Sequence, residues 1–374
     1  MLKSIHVTGL NGKLEHKLKF HSDLNLITGL NGSGKTTLLK LIWYSLSGNI
    51  ERIPSEITFD TVDIIGDTFR VRMKWQKKNV RRGIIHIKAE GKGRKTAEES
   101  FPLAQWERRS GSIDRVNDLV ASCSGRSFFF PTFRRIEGGF AINPKPQHWD
   151  EDELDNNVEQ SLFQYTELIS VYEHRLIASI STTDVQQLLT RKYADAAERS
   201  NKLHLGLTDN IIATIKKHKT GSQLGNNSVS KLNKSERVLN DIHRRIEKVN
   251  SQREVVMKPF SVLEETFKGV FHHKGIRLSE AIVFGDTDKA VRADQLSAGE
   301  KQMLSFLAYN AFTRNAVFFI DEPEISLHAD WQRQLFRLLL KQDTGNQFVA
   351  ATHSPFIYSK YPEKEHPLSL EKGE

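Results

Sequence analysis

The sequence predicts an α/β fold with an antiparallel β subdomain and an inserted helical hairpin. Three observations predict it. A buried apolar strand at residues 24–29 leads through a glycine-rich turn into an amphipathic helix. Between residues 57 and 87 apolar and polar residues alternate, which indicates antiparallel strands. Residues 150–260 instead carry apolar residues at steps of three and four, which is typical of long helices.

Composition limits the classes of protein to which the chain can belong. It has 374 residues, a net charge of +8 and one cysteine, Cys123. No apolar run reaches the roughly 18 residues of a membrane span, and the N-terminus lacks the apolar core of a signal peptide. A single cysteine excludes an internal disulfide framework and fits a reducing compartment. We therefore expect a cytoplasmic protein with no membrane partner and with room for two domains or one large insertion.

The turn after the first buried strand has the full phosphate-loop pattern, G-x-x-x-x-G-K-T, from Gly29 to Thr36. Glycines in such a turn let backbone N–H groups surround an anion, and the following helix adds its positive dipole end. In this pattern Lys35 reaches the terminal phosphates of a nucleotide and the Thr36 hydroxyl binds Mg²⁺. The predicted nucleotide-binding residues are Gly29, Asn31, Gly32, Ser33, Gly34, Lys35, Thr36 and Thr37.

A strongly basic segment coincides with a predicted β-hairpin. Between residues 70 and 95 there are eleven Lys or Arg and a single acid, Glu90. Arg70, Arg72 and Lys74 lie on one face of the first strand, and apolar side chains that include Trp75 lie on the other. Two interpretations stay open. The cationic face binds nucleic acid or an acidic partner, or it is a solvated edge whose charges prevent aggregation.

A change of composition at Trp149 gives three predicted parts: residues 1–149, 150–260 and 261–374. The first part ends after a buried strand at 127–130, which is followed by Arg134 and Arg135. These two arginines either lie near phosphates or pair with surface acids.

The middle part is predicted to be a helical arm that folds back on itself. Apolar residues from Leu154 to Leu176 follow a helical spacing. A second helix has apolar residues at the spacing of a coiled-coil seam, namely Leu232, Leu239, Ile242, Ile246 and Val249. The tip of the hairpin is either the polar break at 220–227 or Gly206.

The last part returns to residues with catalytic chemistry. A short strand is predicted at 282–284, and a buried strand at 317–320 ends in Asp321 and Glu322. Acids at this place hold Mg²⁺ and polarise water in nucleotide hydrolysis. A further strand ends beside His353, which we interpret as a sensor of the γ-phosphate.

The run Leu296-Ser297-Ala298-Gly299-Glu300 opens another helix. Ser297 and Glu300 have the spacing of a capping box, so that helix initiation alone explains them. Only their position among the other motifs favours a functional role.

In this order, the motifs resemble those of the ATP-binding-cassette heads of the SMC, Rad50, RecF and OLD group. The run Asp321–His328, D-E-P-E-I-S-L-H, is particularly similar to OLD-like AAA_15 and AAA_21 ATPases, which are common in anti-phage defence systems. The run from Phe130 to Gly139 looks like ATPases of PARIS, Septu and retron-associated systems.

The resemblance implies that two P-loop ATPase heads, in a homodimer or larger even oligomer, hold ATP and Mg²⁺ between them. Ser297 and Gly299 of one head would contact the nucleotide of the other in trans, and Ser326–His328 would lie across the interface. Thr36 and Asp321 would hold Mg²⁺. The catalytic residues would be Glu322, His353 and Lys35.

Two departures from the group matter. Ala298 replaces the commoner glycine of the signature, at little cost. The Mg²⁺-coordinating glutamine of the family is not placed, because Gln105 lies on the wrong side of the Phe128 strand.

Only 21 residues follow His353, too few for the TOPRIM nuclease domain that OLD nucleases carry there. We therefore expect a sensor or regulator subunit of an anti-phage system, which controls a separate nuclease-like effector in response to a phage protein. The alternative is a DNA-repair ATPase of RecF or Rad50 type that binds DNA through residues 70–95. A transporter cassette fits less well, since the helical insertion has no role there.

Overall fold

The computed structural model describes residues 1–79, 82–93, 95–102, 113–132, 164–178, 182–220, 228–270 and 297–368. The chain divides into two compact units, Met1–Val185 with Ala293–Glu374, and Gln186–Arg292. The described part of the first unit contains an antiparallel sheet and a parallel sheet, which confirms the predicted α/β class. No helix among the described residues is long and apolar enough to cross a membrane.

The antiparallel sheet has the strand order β2-β1-β4-β5-β6-β7. Its strands are β1 (Leu2–Leu10), β2 (Leu14–Lys19), β4 (Thr61–Gly66), β5 (Phe69–Asn79), β6 (Arg82–Gly91) and β7 (Lys95–Pro102). In β5, Val71, Met73 and Trp75 are buried because alternate residues of a strand face the same side. The predicted hairpin and the predicted position of Trp75 on its inner face are confirmed.

The second sheet is parallel in all its described pairings and has the order β12-β3-β11-β10-β8-β9. Its strands are β3 (Leu24–Gly29), β8 (Arg126–Phe130), β9 (His174–Leu176), β10 (Ala316–Asp321), β11 (Gln347–Ala351) and β12 (Glu365–Leu368). The alternating pattern of residues 1–28 predicts a short β-meander that enters the phosphate loop. β1 and β2 do pair as an antiparallel hairpin, but the expectation that β3 joins them is wrong. β3 instead pairs with β11 and β12, because the chain crosses to the other sheet before the phosphate loop.

Helices complete the first unit: α1 (Lys35–Leu46), α2 (Ile53–Glu56), α3 (Ile113–Cys123), α6 (Ala298–Ala311), α7 (Ala329–Lys341) and α8 (Pro355–Tyr358). Single 3₁₀ turns lie at Ile50–Arg52 and Pro362–Lys364. Trp43 anchors α1 to the parallel sheet: its ring stacks on Phe129 at 5.3 Å between centroids, and its Nε1 donates to Ser127 Oγ at 3.1 Å. The helix that carries Lys35 is therefore fixed against the sheet.

The helix predicted from Leu154 through Leu176 is wrong at its C-terminal end. Residues 164–169 are helical, but β9 follows and pairs in parallel with β8. Within β9 the buried ring of His174 contacts Ser127 Oγ at 2.7 Å and Ser124 Oγ at 3.2 Å. The strand pairing and the polar contacts of His174 stabilise an extended conformation here, although the apolar residues have helical spacing. The predicted helix at 154–163 lies outside the described residues, as do Arg134, Arg135 and the strand at 282–284.

The second unit contains two long helices, α4 (Thr182–Thr220), whose first residues belong to the first unit, and α5 (Ser228–Val270). Tyr193 packs against Phe260, and Arg253 Nη1 lies 3.0 Å from His204 Nε2. Since the earlier residue of α4 meets the later residue of α5, the helices run antiparallel. Gly206 lies inside α4 and is not the tip.

The predicted seam on α5 is only partly packed. Ile242, Ile246 and Val249 are half-buried. Leu239, in contrast, is 66% exposed.

Candidate nucleotide-binding and hydrolysis site

The phosphate loop joins the buried end of β3 to the start of α1. Gly34 immediately precedes the helix at φ = 85°, in the left-handed region that favours glycine. At Gly29 a Cβ atom would lie 2.6 Å from the carbonyl oxygen of Leu368 on the neighbouring strand. Ser33 Oγ, between them, is buried without a described hydrogen-bond partner. The loop therefore has the compact backbone and spare polar groups that suit a phosphate.

Lys35 is buried at the first position of α1, and its Nζ donates to the carbonyl oxygens of Gly29 at 3.0 Å and Leu30 at 3.2 Å. Burial lowers the pKa of Lys35, and the charges of nearby Glu322, Asp321 and Glu324 oppose this effect. The loop lysine and the acids at the carboxyl end of β10 thus share one electrostatic environment.

Asp321 connects the phosphate loop to β10. Thr36 Oγ1 donates to Asp321 Oδ1 at 3.1 Å, and Thr132 Oγ1 donates to Asp321 Oδ2. Thr132 lies two residues after the end of β8, which is the neighbour of β10, so Thr132 and Asp321 meet at the same edge of the sheet. Two hydroxyls and a carboxylate are oxygen ligands of the kind that Mg²⁺ prefers. The predicted pair Thr36 and Asp321 is brought together, and Thr132 joins it.

No group of three or more His, Cys, Asp or Glu side chains among the described residues could hold a metal by itself. Mg²⁺ commonly binds through one or two carboxylates together with the phosphates of a substrate. The residues around Asp321 fit that mode of binding.

Glu322 directly follows β10 in the left-handed region, with φ = 50°. Its backbone N–H donates to the carbonyl of Ala351 at 2.9 Å, and its Oε1 lies 3.3 Å from His353 Nε2. A non-glycine residue in this region is uncommon and is often found at functional sites. The structure therefore brings the predicted catalytic acid and the predicted sensor into direct contact.

The pKa of the Glu322 carboxyl is raised to about 8. Burial is the main cause, followed by the hydrogen bond to Glu324 and the negative charges of Glu324 and Asp321, whereas Lys35 acts in the opposite direction. A carboxyl whose protonation changes near neutral pH suits a group that exchanges a proton with water.

Glu324 also belongs to this site, although the sequence pattern assigned it no role. Its Oε2 accepts from Thr352 Oγ1 at 2.8 Å, and its Oε1 accepts from the backbone N–H of His353 at 2.6 Å. The local signal was a third acid just after Asp321 and Glu322. Thr132 was also missed, although it follows a buried strand of the same sheet.

The signature run begins α6, and its capping box is formed. Glu300 N–H donates to Ser297 Oγ at 3.4 Å, and Ser297 N–H donates to Glu300 Oε2 at 2.7 Å. Gly299 packs closely on the segment after β10, since a Cβ there would lie 2.3 Å from the carbonyl oxygen of Ser326. These contacts explain both residues within one chain. The predicted trans contacts of Ser297 and Gly299 with a nucleotide stay predictions.

Gln302 was not singled out from the sequence and links the same elements. It is fully buried on α6, and its Nε2 donates to the carbonyl of Pro323 at 2.8 Å. The signature helix is thus joined to the turn that carries Glu322.

The predicted cationic face of the antiparallel sheet is largely paired with acids. Arg70 makes two hydrogen bonds to Asp63, at 2.9 and 2.6 Å, and Arg72 Nη2 lies 2.5 Å from Glu90. Asp63 lies on β4, outside the basic segment of residues 70–95. Lys74 is exposed and has no partner among the described residues.

A cleft of about 320 Å³ lies on this outer face. Its lining contains cations and acids in similar number, namely Arg72, Lys74, Lys88, Asp63 and Glu98, beside His6 and His86. The mixed signs do not favour a phosphate backbone, which calls for an excess of positive charge.

A family model described as an AAA domain, AAA_23, matches residues 4–255. A second, AAA_21, described as an AAA domain, putative AbiEii toxin, Type IV TA system, matches residues 209–359. The chain is 38% identical over 63 residues to Endonuclease GajA of Bacillus cereus (strain VD045), which covers 15% of this chain and 11% of that protein. It is 27% identical over 128 residues to Retron Ec83 probable ATPase of Escherichia coli, which covers 30% of this chain and 24% of that protein.

The alignments therefore span about a tenth and a quarter of the lengths of these two relatives. Among solved structures, the Smc head domain with an extended coiled coil bound to the C-terminal domain of ScpA, from Pyrococcus furiosus, aligns with a TM-score of 0.41 and 14% identity over 99% of this chain and 94% of that chain. The SmcHead bound to the C-winged helix domain of ScpA aligns with a TM-score of 0.41 and 10% identity over the same shares. Because the AAA_23 match extends over more than half of the sequence, the chain belongs to this family of AAA domains, which confirms the ATPase group that its motifs resemble.

Proposed function

We propose that the protein binds and hydrolyses ATP and thereby regulates a separate effector in an anti-phage defence system. One observation carries the ATPase part: the contacts of Lys35, Thr36–Asp321 and Glu322–His353 all lie where the phosphate loop meets the ends of β10 and β11. The same edge of a parallel sheet is where ligands of open α/β folds commonly bind.

The proposed chemistry assigns each residue a task. Lys35 and the backbone of the loop hold the phosphates. Thr36 and Asp321, with Thr132 beside them, would hold Mg²⁺, which when bound would neutralise phosphate charge. Glu322 would take the proton of the attacking water, and His353 would orient Glu322 and contact the γ-phosphate.

Phosphate release from ATP by the purified chain tests this part of the proposal. Lys35→Ala should abolish hydrolysis by weakening nucleotide binding, and Glu322→Gln should abolish it with binding retained. Lys40→Ala is the matched control, because Lys40 lies on the same helix and makes only a half-exposed ion pair with Glu56. Equal hydrolysis by the wild type and the Lys35 variant would contradict an active site at this loop.

We further propose that two copies enclose ATP, with Ser297 and Gly299 of one copy contacting the nucleotide of the other. The exposed position of Ser297 at the start of α6 supports this arrangement, since the N-terminus of a helix attracts anions. The assembly would be a homodimer or a larger even oligomer.

The defence part of the proposal rests on the relatives. The similarity to Retron Ec83 probable ATPase and to Endonuclease GajA supports a role beside a nuclease-like effector. We propose that a phage protein is the trigger. The protein and the products of its neighbouring genes should together protect cells from phage, and Lys35→Ala should remove the protection where Lys40→Ala does not. Full protection by the Lys35 variant would contradict control by ATP.

The ion pairs of the antiparallel sheet count against the alternative of a DNA-repair ATPase. Arg70 and Arg72 are engaged by Asp63 and Glu90, so they are not free to neutralise phosphates. Binding of DNA through this face is therefore the less favoured function.

A further inference from the structure

Glu324 joins two segments that meet beside the candidate catalytic pair. It lies three residues after Asp321, in the turn that follows β10. Its carboxylate accepts two hydrogen bonds from the residues that follow β11, one from Thr352 Oγ1 at 2.8 Å and one from the N–H of His353 at 2.6 Å. Both bonds are charge-assisted, which makes them stronger than bonds between neutral groups.

The contact is part of a larger hydrogen-bonded ring. Ser354 N–H donates to Thr352 Oγ1 at 3.0 Å, and Ser354 Oγ lies 2.5 Å from Oε1 of Gln332 on α7. Gln332 Nε2 in turn donates to the carbonyl of Leu327 at 2.7 Å. The segment with His353, the start of α7 and the turn after β10 are therefore held as one unit.

His353 is held at two points by two different acids. Its backbone N–H is bonded to Glu324, and its ring Nε2 lies 3.3 Å from Glu322 Oε1. His353 is itself exposed and lies beyond the last residue of β11, so the sheet does not fix it. The bond to Glu324 supplies that restraint.

We infer that Glu324 is a positioning residue of the ATPase site, which fixes the backbone of His353 so that its imidazole meets Glu322. The inference rests on the proposed ATP hydrolysis, in which His353 and Glu322 act together. Glu324 does not touch the nucleotide in this account. Its loss should slow turnover far more than it changes nucleotide affinity, because its carboxylate makes hydrogen bonds to Thr352 and His353 and acts on Lys35 of the phosphate loop only through its charge.

Hydrogen–deuterium exchange tests the contact without any need for activity. In Glu324→Ala the amide of His353 should exchange about 10-fold faster, since a bond to a charged acceptor is lost. Glu324→Gln should have a smaller effect because its amide oxygen keeps one acceptor. The exchange rates of the β11 amides should not change. Unchanged exchange at His353 in Glu324→Ala would overturn the inference, whether or not the protein hydrolyses ATP.

Steady-state kinetics test the consequence for the site. We expect kcat to fall about 100-fold in Glu324→Ala, as a displaced catalytic group typically causes, with KM within about twofold and partial recovery in Glu324→Gln. Thr352→Val removes the other partner and should also lower kcat. Glu363→Ala, an exposed acid in the same unit, is the matched control.

A failure of the proposed ATPase function can be distinguished from a failure of the positioning role of Glu324. If the wild type does not hydrolyse ATP, the proposed function fails, and the exchange of His353 still decides whether Glu324 holds it. If the wild type is active but the Glu324 variants keep full kcat, or lose activity through a raised KM alone, the positioning role is wrong and the ATPase assignment stands. If Glu324→Ala does not fold, the same exchange and kinetic measurements are made on Glu324→Gln and Thr352→Val.

Discussion

The ring nitrogen Nε2 of His353 lies 3.3 Å from the carboxylate Oε1 of Glu322, although the two residues are 31 positions apart. The contact exists because β10 and β11 are parallel neighbours in register, with Asp321 opposite Ala351. Each residue follows the carboxyl end of its strand. The two ends of a parallel pair therefore bring an acid and a base into one site.

Glu322 should make the stability of the protein fall as the pH rises. Its pKa is raised from 4.5 to about 8 in the folded chain, so between these values the folded state binds a proton that the unfolded state lacks. The contribution of Glu322 to the free energy of unfolding must then decrease with pH across that window. Glu322→Gln is neutral throughout, so its gain in stability over the wild type should be small near pH 5 and larger at pH 8.

Thermal unfolding at pH 5, 6.5 and 8 measures this difference on the nucleotide-free protein. Glu363→Gln, at an exposed acid, should show no such trend. A gain for Glu322→Gln that is the same at all three pH values would mean that this carboxyl titrates normally.

Glu322→Gln and Lys35→Ala should have opposite effects on assembly. A site that binds but does not hydrolyse ATP should keep two copies together, whereas weaker phosphate binding should leave them apart. Light scattering with saturating ATP and Mg²⁺ should give a dimer mass for the first variant and a monomer mass for the second. A monomeric Glu322→Gln protein under these conditions would contradict the shared site.

The local parts of this site are predictable from sequence. The glycine pattern before Lys35 and the apolar run before Asp321 are each contiguous, so that loop, strand and helix follow from neighbouring residues. The parallel sheet then brings the strand ends together without further information. Lys35, Asp321 and His353 were found in this way.

Contacts between distant residues are what the sequence does not specify. Glu324 accepts from Thr352, 28 positions later, and nothing local indicates this partner. Arg70 pairs with Asp63 across two strands, and the acid lies outside the basic segment, so the segment's charge overstated the charge of the sheet. Burial and strand pairing decide such contacts, and both depend on the whole fold.

Gly299→Ala should destabilise the protein although alanine is the better helix former. A Cβ at this position would lie 2.3 Å from the carbonyl oxygen of Ser326, a backbone atom that cannot turn away. Overpacking of this kind costs about 1–3 kcal/mol, against a gain of up to about 1 kcal/mol from helix propensity.

Urea unfolding of Gly299→Ala should therefore show a net loss of stability, whereas Ala298→Gly should lose less than about 1 kcal/mol. If Gly299→Ala instead keeps its stability and loses only the ATP-dependent dimer, the glycine is needed only for its contact with the nucleotide bound by the other copy. That outcome would contradict the importance of its contact with Ser326.

Arg70 should contribute a modest amount to stability and little to binding of DNA. Its two hydrogen bonds to Asp63 are partly exposed, and exposed ion pairs contribute about 0.2–1 kcal/mol. Arg70→Asp places a carboxylate directly opposite Glu90 and diagonally across from Asp63, and it should lower stability by a similar amount. The swap of Arg70→Asp with Asp63→Arg should restore only part of the loss, because it rebuilds the pair in reverse but leaves Arg72 directly opposite position 63 and Glu90 directly opposite position 70.

The same variants separate pairing from recognition of DNA. The logarithm of a DNA-binding constant falls linearly with the logarithm of the salt concentration, and the steepness of this fall is the salt slope. Removal of an arginine that neutralises a phosphate lowers the salt slope by about one unit. Arg70 is already neutralised by Asp63, so Arg70→Asp should leave the slope of any DNA binding unchanged, and so should the charge-swapped pair. Lys74→Glu is the matched variant on the same strand face, at a lysine with no acidic partner among the described residues. If Arg70→Asp lowers the salt slope as much as Lys74→Glu does, Arg70 must leave Asp63 and contact DNA. This result would support the cationic face of the antiparallel sheet as a nucleic-acid site.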